Sequence, residues 1–191
     1  MSAPTWHVAV ITFYAYMAAF ILVERVLTRA SFGSSERGDR DPRTLLFFVF
    51  PFVGIFAWMF VLNRWLPPRP SWILYAAGLL IGGTGMAIRV IGKRTLGKFF
   101  TVRVQLQEGH RIVDQGIYAH LRHPLYLGFL LEWVAPPLIL GSTIGFLFVT
   151  LPLALVILAR IPREEALLTE AFGDGYRDYM RRTKRLIPRV W

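Results

Sequence analysis

The 191-residue sequence contains no cysteine, which excludes disulfides, thiolate metal centres and a cysteine nucleophile. Histidine is scarce, four in the whole chain, and their spacing forms no metal-ligand pattern. Acidic residues are outnumbered, 12 against 22 Lys plus Arg, which leaves a formal net charge of +10. Charge is also missing from long stretches. The hydrophobic residues, 54% of the chain, gather in runs of roughly 18 to 22, and such runs have no polar face to show to water. An ordinary water-soluble globule is therefore excluded. No alternation of strand and helix patterns occurs, and Gly83-Thr84-Gly85 lies inside an apolar run with no strand before it. It reads as a helix-packing feature and not as a nucleotide loop.

What is present is a set of five runs long enough to cross a hydrocarbon core of about 30 Å as helices. They extend over Trp6 to Leu27, Leu45 to Leu62, Trp72 to Ile91, Pro124 to Leu140 and Thr143 to Ala159. The first has no positive n-region and no small-residue cleavage site, so it is expected to be a retained span. Twenty of the 22 basic residues fall on one side of the resulting bundle, with only Arg64 and Arg69 on the other. The positive-inside rule then places the N-terminus outside and the C-terminus in the cytoplasm. The expected fold is an all-α, multi-pass integral membrane protein of five transmembrane helices, with a C-terminal helical hairpin and a cytoplasmic loop and tail. Its organisation divides into a three-helix membrane region, 1–91, and a region carrying the candidate site, 92–191.

Only Gly141 and Ser142 join the last two spans, so their cytoplasmic ends must be neighbours. The loop Gly92 to His123 and the tail Arg160 to Trp191 are thereby brought together as the walls of any cytosol-facing site. Gly78, Gly82, Gly83 and Gly85 in the third span permit close helix approach. Pro51, Pro136, Pro137 and Pro152 suggest kinks, and Ser31 to Arg43 reads as a flexible connector. The basic run Arg181-Arg182-Thr183-Lys184-Arg185 is expected to rest against anionic lipid head groups and not nucleic acid. His7 and His120 read as interface residues.

Two polar clusters can carry chemistry. The first surrounds the start of the fourth span: His110-Arg111-Ile112-Val113, Gly116-Ile117-Tyr118, and Arg122-His123-Pro124-Leu125-Tyr126-Leu127-Gly128. Pro124 suits the first helical position, and the free N–H groups of a helix start beside Arg122 and His123 favour a carboxylate. A membrane-entry cap explains any one of these residues, though less well the whole string. The second cluster is Arg160-Ile161-Pro162-Arg163-Glu164-Glu165, where Pro162 is expected to start another helix. Arg160 and Glu164, four apart and opposite Arg122 and His123, would suit a zwitterionic ligand. Glu132, two turns into the fourth span, is either a functional intramembrane carboxylate or the partner of Arg89.

The series His110-x-Ile112-Val113-x-x-Gly116-x-Tyr118-x-x-x-Arg122-His123-Pro124-x-Tyr126-x-Gly128, followed by Glu164-Glu165, Phe172-Gly173-x-x-Tyr176-x-x-Tyr179 and Arg185-Leu186-Ile187-Pro188, resembles the isoprenylcysteine carboxyl methyltransferases. The resemblance covers roughly half the chain, from Leu96 to Trp191. It implies an integral membrane enzyme that transfers a methyl group from S-adenosylmethionine to a lipophilic acceptor entering from the bilayer. Carried over residue by residue, the family's cofactor contacts fall on His110, Arg111, Ile112, Val113, Tyr118, His123, Pro124, Leu125, Tyr126, Arg160 and Glu164. Ile112 stands where Leu is common, and Arg103 and Gln105 lie where a further contact can fall. The residue types agree with this cofactor: Tyr118 or Tyr126 can face a sulfonium, and Arg160 or Arg122 can guide an acceptor carboxylate. A prenylcysteine carboxylate needs no general base, whereas a thiol or amine would ask His123 or Glu164 to take a proton. Other readings are a phospholipid or thiol methyltransferase, an NADPH-dependent sterol or steroid reductase with a similar Arg-His-Pro-x-Tyr-x-Gly stretch, and a non-catalytic lipid-binding protein.

Overall fold

The computed structural model describes residues 4–31, 67–99 and 112–187. The expected span Leu45 to Leu62, most of the connector Ser31 to Arg43, and His110, Arg111, Arg103 and Gln105 lie outside the described residues.

Each described helix begins and ends where local chemistry allows. Helix α1 covers Trp6–Ser31. Helix α2, Trp72–Leu96, is capped by Ser71, whose side chain accepts from the Leu74 N–H at 3.2 Å. Helix α3, Pro124–Leu140, opens with Pro124 in its first turn and stops at Gly141, which takes a left-handed φ of 65°. A side chain there would also run into the Arg69 carbonyl group, whose residue donates its N–H to the Gly141 oxygen at 3.0 Å. Ser142 then caps the next helix through the Gly145 N–H at 2.9 Å. That helix, α4, runs over Thr143–Phe172, and after Gly173 a short helix α5, Asp174–Arg182, lies across the end of the bundle.

Helix α4 departs from expectation at both ends. Its first turns, Phe146–Thr150, are wound as a π-helix. Pro152 follows at once, and its missing N–H removes one ordinary helical bond, which a wider turn accommodates. Pro162 was expected to start a new helix; instead it lies inside a continuous one. Only one donor is lost there, and the surrounding Ala, Leu, Arg and Glu residues are strong helix formers. The consequence is that Arg160 and Glu164 share one unbroken helical face. The expected spans ending at Leu27, Ile91 and Ala159 likewise continue as helix, to Ser31, Leu96 and Phe172.

Trp6–Val26, Trp72–Leu96 and Thr143–Phe172 are long and apolar enough to cross a membrane, and Pro124–Leu140 is a shorter apolar helix. Their outward surfaces are aliphatic: Ile73 is 82% exposed and Leu80 72%. Water would not tolerate such faces on three helices, whereas lipid does. The described residues form a helical bundle, and the chain is a multi-pass integral membrane protein. Inside, Phe13, Met17 and Phe20 of α1 pack with Phe129 and Trp133 of α3 and with Leu153, Ile157 and Ile161 of α4.

Helices α2 and α3 touch along a seam of small residues. A Cβ at Gly85 would lie 2.6 Å from the Gly128 carbonyl oxygen, and one at Gly82 2.7 Å from Ala135 Cβ. At the end of this seam four charges are enclosed. Arg89 reaches Glu132 through Nη1 at 2.6 Å and Glu24 through Nη2 at 2.6 Å, while Lys93 Nζ lies 2.7 Å from the other Glu24 oxygen. The Arg89 side chain is 7% exposed and that of Glu132 2%. Glu132 therefore has Arg89 as its partner, with Glu24 and Lys93 as members that the sequence did not disclose.

Candidate active site

The segment before α3 is held by the tail. Lys184 N–H donates to the His120 carbonyl at 3.1 Å, Arg122 N–H to the Lys184 carbonyl at 2.7 Å, and His123 N–H to the Arg185 carbonyl at 3.0 Å. This is one short parallel pairing, Leu121 with Lys184. It gives partners to backbone groups that are removed from water.

Side chains complete the attachment. Glu165 receives Arg122 Nε at 2.8 Å and Arg185 Nε at 3.0 Å, with His123 Nε2 at 3.4 Å. Arg122 Nη1 donates to the carbonyls of Met180, at 2.8 Å, and Thr183. The carboxylate expected at this cationic helix start is thus supplied by the protein's own Glu165, 5% exposed. Sequence reasoning assigned Glu165 no role. A signal was available: Leu153, Ile157, Ile161 and Glu165 recur every four residues, so Glu165 continues the buried stripe of α4.

Beside this hub lies a second, more open group. Tyr126 donates its hydroxyl to Glu164 Oε2 at 2.6 Å. Its ring stacks with His123 at 5.6 Å between centroids, and the Arg160 guanidinium stands 5.9 Å from the ring centre. His123, Tyr126, Arg160 and Glu164, proposed together from sequence, meet at this place. Pro124 is buried at the helix start, and Leu125 packs on Gly92, where a Cβ would lie 2.8 Å from Leu125 Cδ2. Ile112 and Val113 are half-buried, with Ile112 against Gly175.

Tyr118 sits in the 3₁₀ turn Gly116–Ala119, and its carbonyl accepts from Tyr179 Oη at 2.8 Å. Its own hydroxyl is buried and has no hydrogen-bond partner among the described residues. Burial, followed by the nearby Tyr179 and Glu164, pushes this phenol well above its ordinary range. A neutral donor with no acceptor among the described residues, together with a carboxylate, a guanidinium and an aromatic ring, fits a ligand that carries both charge signs. His7 is exposed, and so is His120, which takes part only through its carbonyl.

A membrane-embedded helical bundle with a charged, aromatic site at one end of its helices is the class that fold and site define. Residues 77–170, which carry most of α2, all of α3 and the Arg160–Glu164 face, match the isoprenylcysteine carboxyl methyltransferase (ICMT) family. The chain is 31% identical over 122 residues to a probable protein-S-isoprenylcysteine O-methyltransferase of Oryza sativa subsp. indica, covering 63% of this chain and 64% of that protein. It is 32% identical over 139 residues to methanethiol S-methyltransferase 2 of Bradyrhizobium diazoefficiens, covering 72% of this chain and 49% of the other. The chain thus spans just under two thirds of the rice protein's length and about half of the bacterial one's. Its fold is similar to that of the eukaryotic intramembrane Ras methyltransferase ICMT, with a TM-score of 0.71 at 24% identity, covering 100% of this chain and 70% of that one.

Proposed function

We propose that the protein is an S-adenosylmethionine-dependent methyltransferase acting on a lipophilic acceptor, most simply the carboxylate of an isoprenylcysteine. The observation that carries this reading is the meeting of Tyr126, Glu164 and Arg160, with the Tyr126 hydroxyl 2.6 Å from the Glu164 carboxylate. S-adenosylmethionine would supply an electrophilic methyl group. Glu164, held by the Tyr126 hydroxyl, would hold its ammonium, and the Tyr126 ring would favour its positive sulfur. Tyr118 offers its unused hydroxyl, while Ile112, Val113, Pro124 and Leu125 form apolar walls. His110 and Arg111 complete the set on the strength of the family motif.

Arg160, a cofactor contact by the family motif, also guides the acceptor carboxylate. Arg122, the other arginine considered for that task, is spent on Glu165 and on two carbonyls, so it acts by positioning His123 and the tail. An ionised carboxylate acceptor requires no proton transfer. The protein's work is then to align and desolvate the reactants, which is where positioning contributes most. A small thiol is the second reading, supported by the match to the Bradyrhizobium protein; it would require Glu164 or His123 to accept a proton.

The acceptor reaches the site from the bilayer and the cofactor from the cytosol. The apolar runs support five spans, and the distribution of basic residues supports an exported N-terminus and a cytoplasmic C-terminus. Region 1–91 anchors and region 92–191 binds and reacts, with the exposed Arg181, Arg182 and Lys184 of the basic tail against anionic lipid. The test is a methyl-transfer assay with labelled cofactor against a prenylcysteine, phosphatidylethanolamine and simple thiols, alongside equilibrium binding of S-adenosylhomocysteine and NADPH. Transfer to the prenylcysteine is expected. Binding of NADPH without S-adenosylhomocysteine would establish the reductase reading instead.

A further inference from the structure

We propose that Glu24, Arg89, Lys93 and Glu132 form a register key between α1, α2 and α3, and that Arg89 and Glu132 are positioning residues for the Tyr126–Glu164 site. The link to catalysis rests on the functional reading above; the register itself does not.

The seam between α2 and α3 brings the helices close without fixing where they stop. Gly78, Gly82, Gly85 and Gly128 offer backbone to backbone: a Cβ at Gly78 would lie 3.0 Å from the Ala135 carbonyl oxygen, and one at Gly128 2.7 Å from that of Gly85. Few side chains interlock across it, chiefly Ile139 against Gly78 and Leu125 against Gly92, and apolar contacts of this kind can be remade one turn away. Lipid also provides no hydrophobic force favouring one apolar contact over its neighbour. A slip of one turn, about 5.4 Å, would exchange one small-residue contact for another.

The four charges forbid that slip. Glu24 bridges Arg89 and Lys93 at 2.6 and 2.7 Å, and Arg89 bridges Glu24 and Glu132 at 2.6 Å each, so acid and base alternate through three helices. Moving α3 by one turn would part Glu132 from Arg89 and leave an unpaired carboxylate inside the membrane. Fixing register is the best-attested use of buried polar pairs.

The key also sets rotation. Arg89 crosses α3 at Gly128, where a Cβ would lie 2.5 Å from Arg89 Cγ, and its guanidinium lies 4.9 Å from the centre of the Phe129 ring. Tyr126, two residues before Gly128, points to the far side of a helix that turns about 100° per residue. Holding Gly128 on Arg89 therefore aims Tyr126 at Glu164 and His123 at Glu165.

The decisive variant is Arg89→Met/Glu132→Met. It removes one positive and one negative charge and leaves the Glu24–Lys93 pair intact, so no net charge is left buried. The expected result is a folded protein with thermal unfolding close to that of the parent. Hydrogen exchange at the Arg122 and His123 amides, which donate to the tail carbonyls, should accelerate at least tenfold. The dissociation constant for S-adenosylhomocysteine should rise at least tenfold. A folded double variant with parental exchange and parental affinity would overturn the proposal, as would one that does not fold, since the cluster would then hold the bundle and not its register. Glu132→Gln keeps the side-chain length and an oxygen towards Arg89. It should fold and show at least a threefold change in both readouts, and equality with the parent counts against the key. If the parent protein binds no S-adenosylhomocysteine, the functional reading fails while the exchange measurement still decides the register.

Discussion

Glu165 is the residue whose replacement the structure makes most consequential for stability. Its carboxylate is enclosed and receives Arg122, Arg185 and His123. Glu165→Ala leaves the Arg122 guanidinium, with a side chain 9% exposed, without a counter-charge. Breaking a buried pair on one side costs about 3 to 5 kcal/mol. Arg122 keeps its two carbonyl acceptors, so the lower end applies, about 3 kcal/mol. The Arg185 side chain is 33% exposed, and its pairing adds at most about 1 kcal/mol after screening. For a chain of this size, about 3 kcal/mol corresponds to a fall in Tm of roughly 6 to 12 °C. Thermal unfolding in detergent micelles, with trypsin sensitivity at Arg181 to Arg185 as a local readout, measures both the global loss and the release of the tail. Glu165→Gln, which keeps an acceptor oxygen, should fall between parent and Ala variant. The reasoning is refuted if Glu165→Ala unfolds at the parental temperature, or if Arg185→Ala costs as much as Glu165→Ala.

Further outcomes follow from the same geometry. Arg160→Ala and Glu164→Ala should each weaken S-adenosylhomocysteine binding by about 10- to 100-fold, the range for hydrogen bonds to charged groups, as read by calorimetry; unchanged affinity in both would refute the assignment of this face. Tyr126→Phe should weaken the same binding by a smaller factor, because it frees Glu164 without removing it. Gly128→Ala should destabilise by about 1 to 3 kcal/mol through overpacking against Arg89 and Gly85, whereas Gly83→Ala, where a Cβ would meet nothing within 4 Å, should be neutral or stabilise by up to about 1 kcal/mol; thermal unfolding of the pair checks the seam. Arg177→Ala, which removes an exposed pair with Asp174, should stay within about 0.5 kcal/mol of the parent.

The parts of this molecule legible from sequence were those set by short connections and by sustained apolarity. Two residues between α3 and α4 oblige the ends of those helices to lie side by side, which is why Arg160 and Glu164 were expected opposite Arg122 and His123. Pro162 misled because a proline is a helix-start signal in water, yet within a long helix of strong formers it removes a single donor. The π-wound turns before Pro152 have no composition signature of their own. Glu24 stayed hidden near the end of its span, where a lone carboxylate reads as a boundary residue; its role depends on Arg89 and Lys93, which come 65 and 69 positions later, and no local pattern connects them. Glu165 was overlooked because it stands next to Glu164 in a motif, and only the four-residue stripe of α4 separates the inward carboxylate from the outward one.

The pairing of Leu121 with Lys184 bears on how the protein comes into being. Arg122 and Thr183 are 61 residues apart, and at a translation rate of about 5 to 20 residues per second the ribosome needs roughly 3 to 12 s to travel between them. Throughout that interval the nascent chain holds Arg122 and His123 at the bilayer surface without the strand that will close over them, and even after α4 has been inserted Glu165 must wait for Arg185. Assembly of the end that carries the candidate site is thus a late, post-insertion event, and chains halted before Thr183 would carry every hydrophobic span described while lacking the clamp that finishes them.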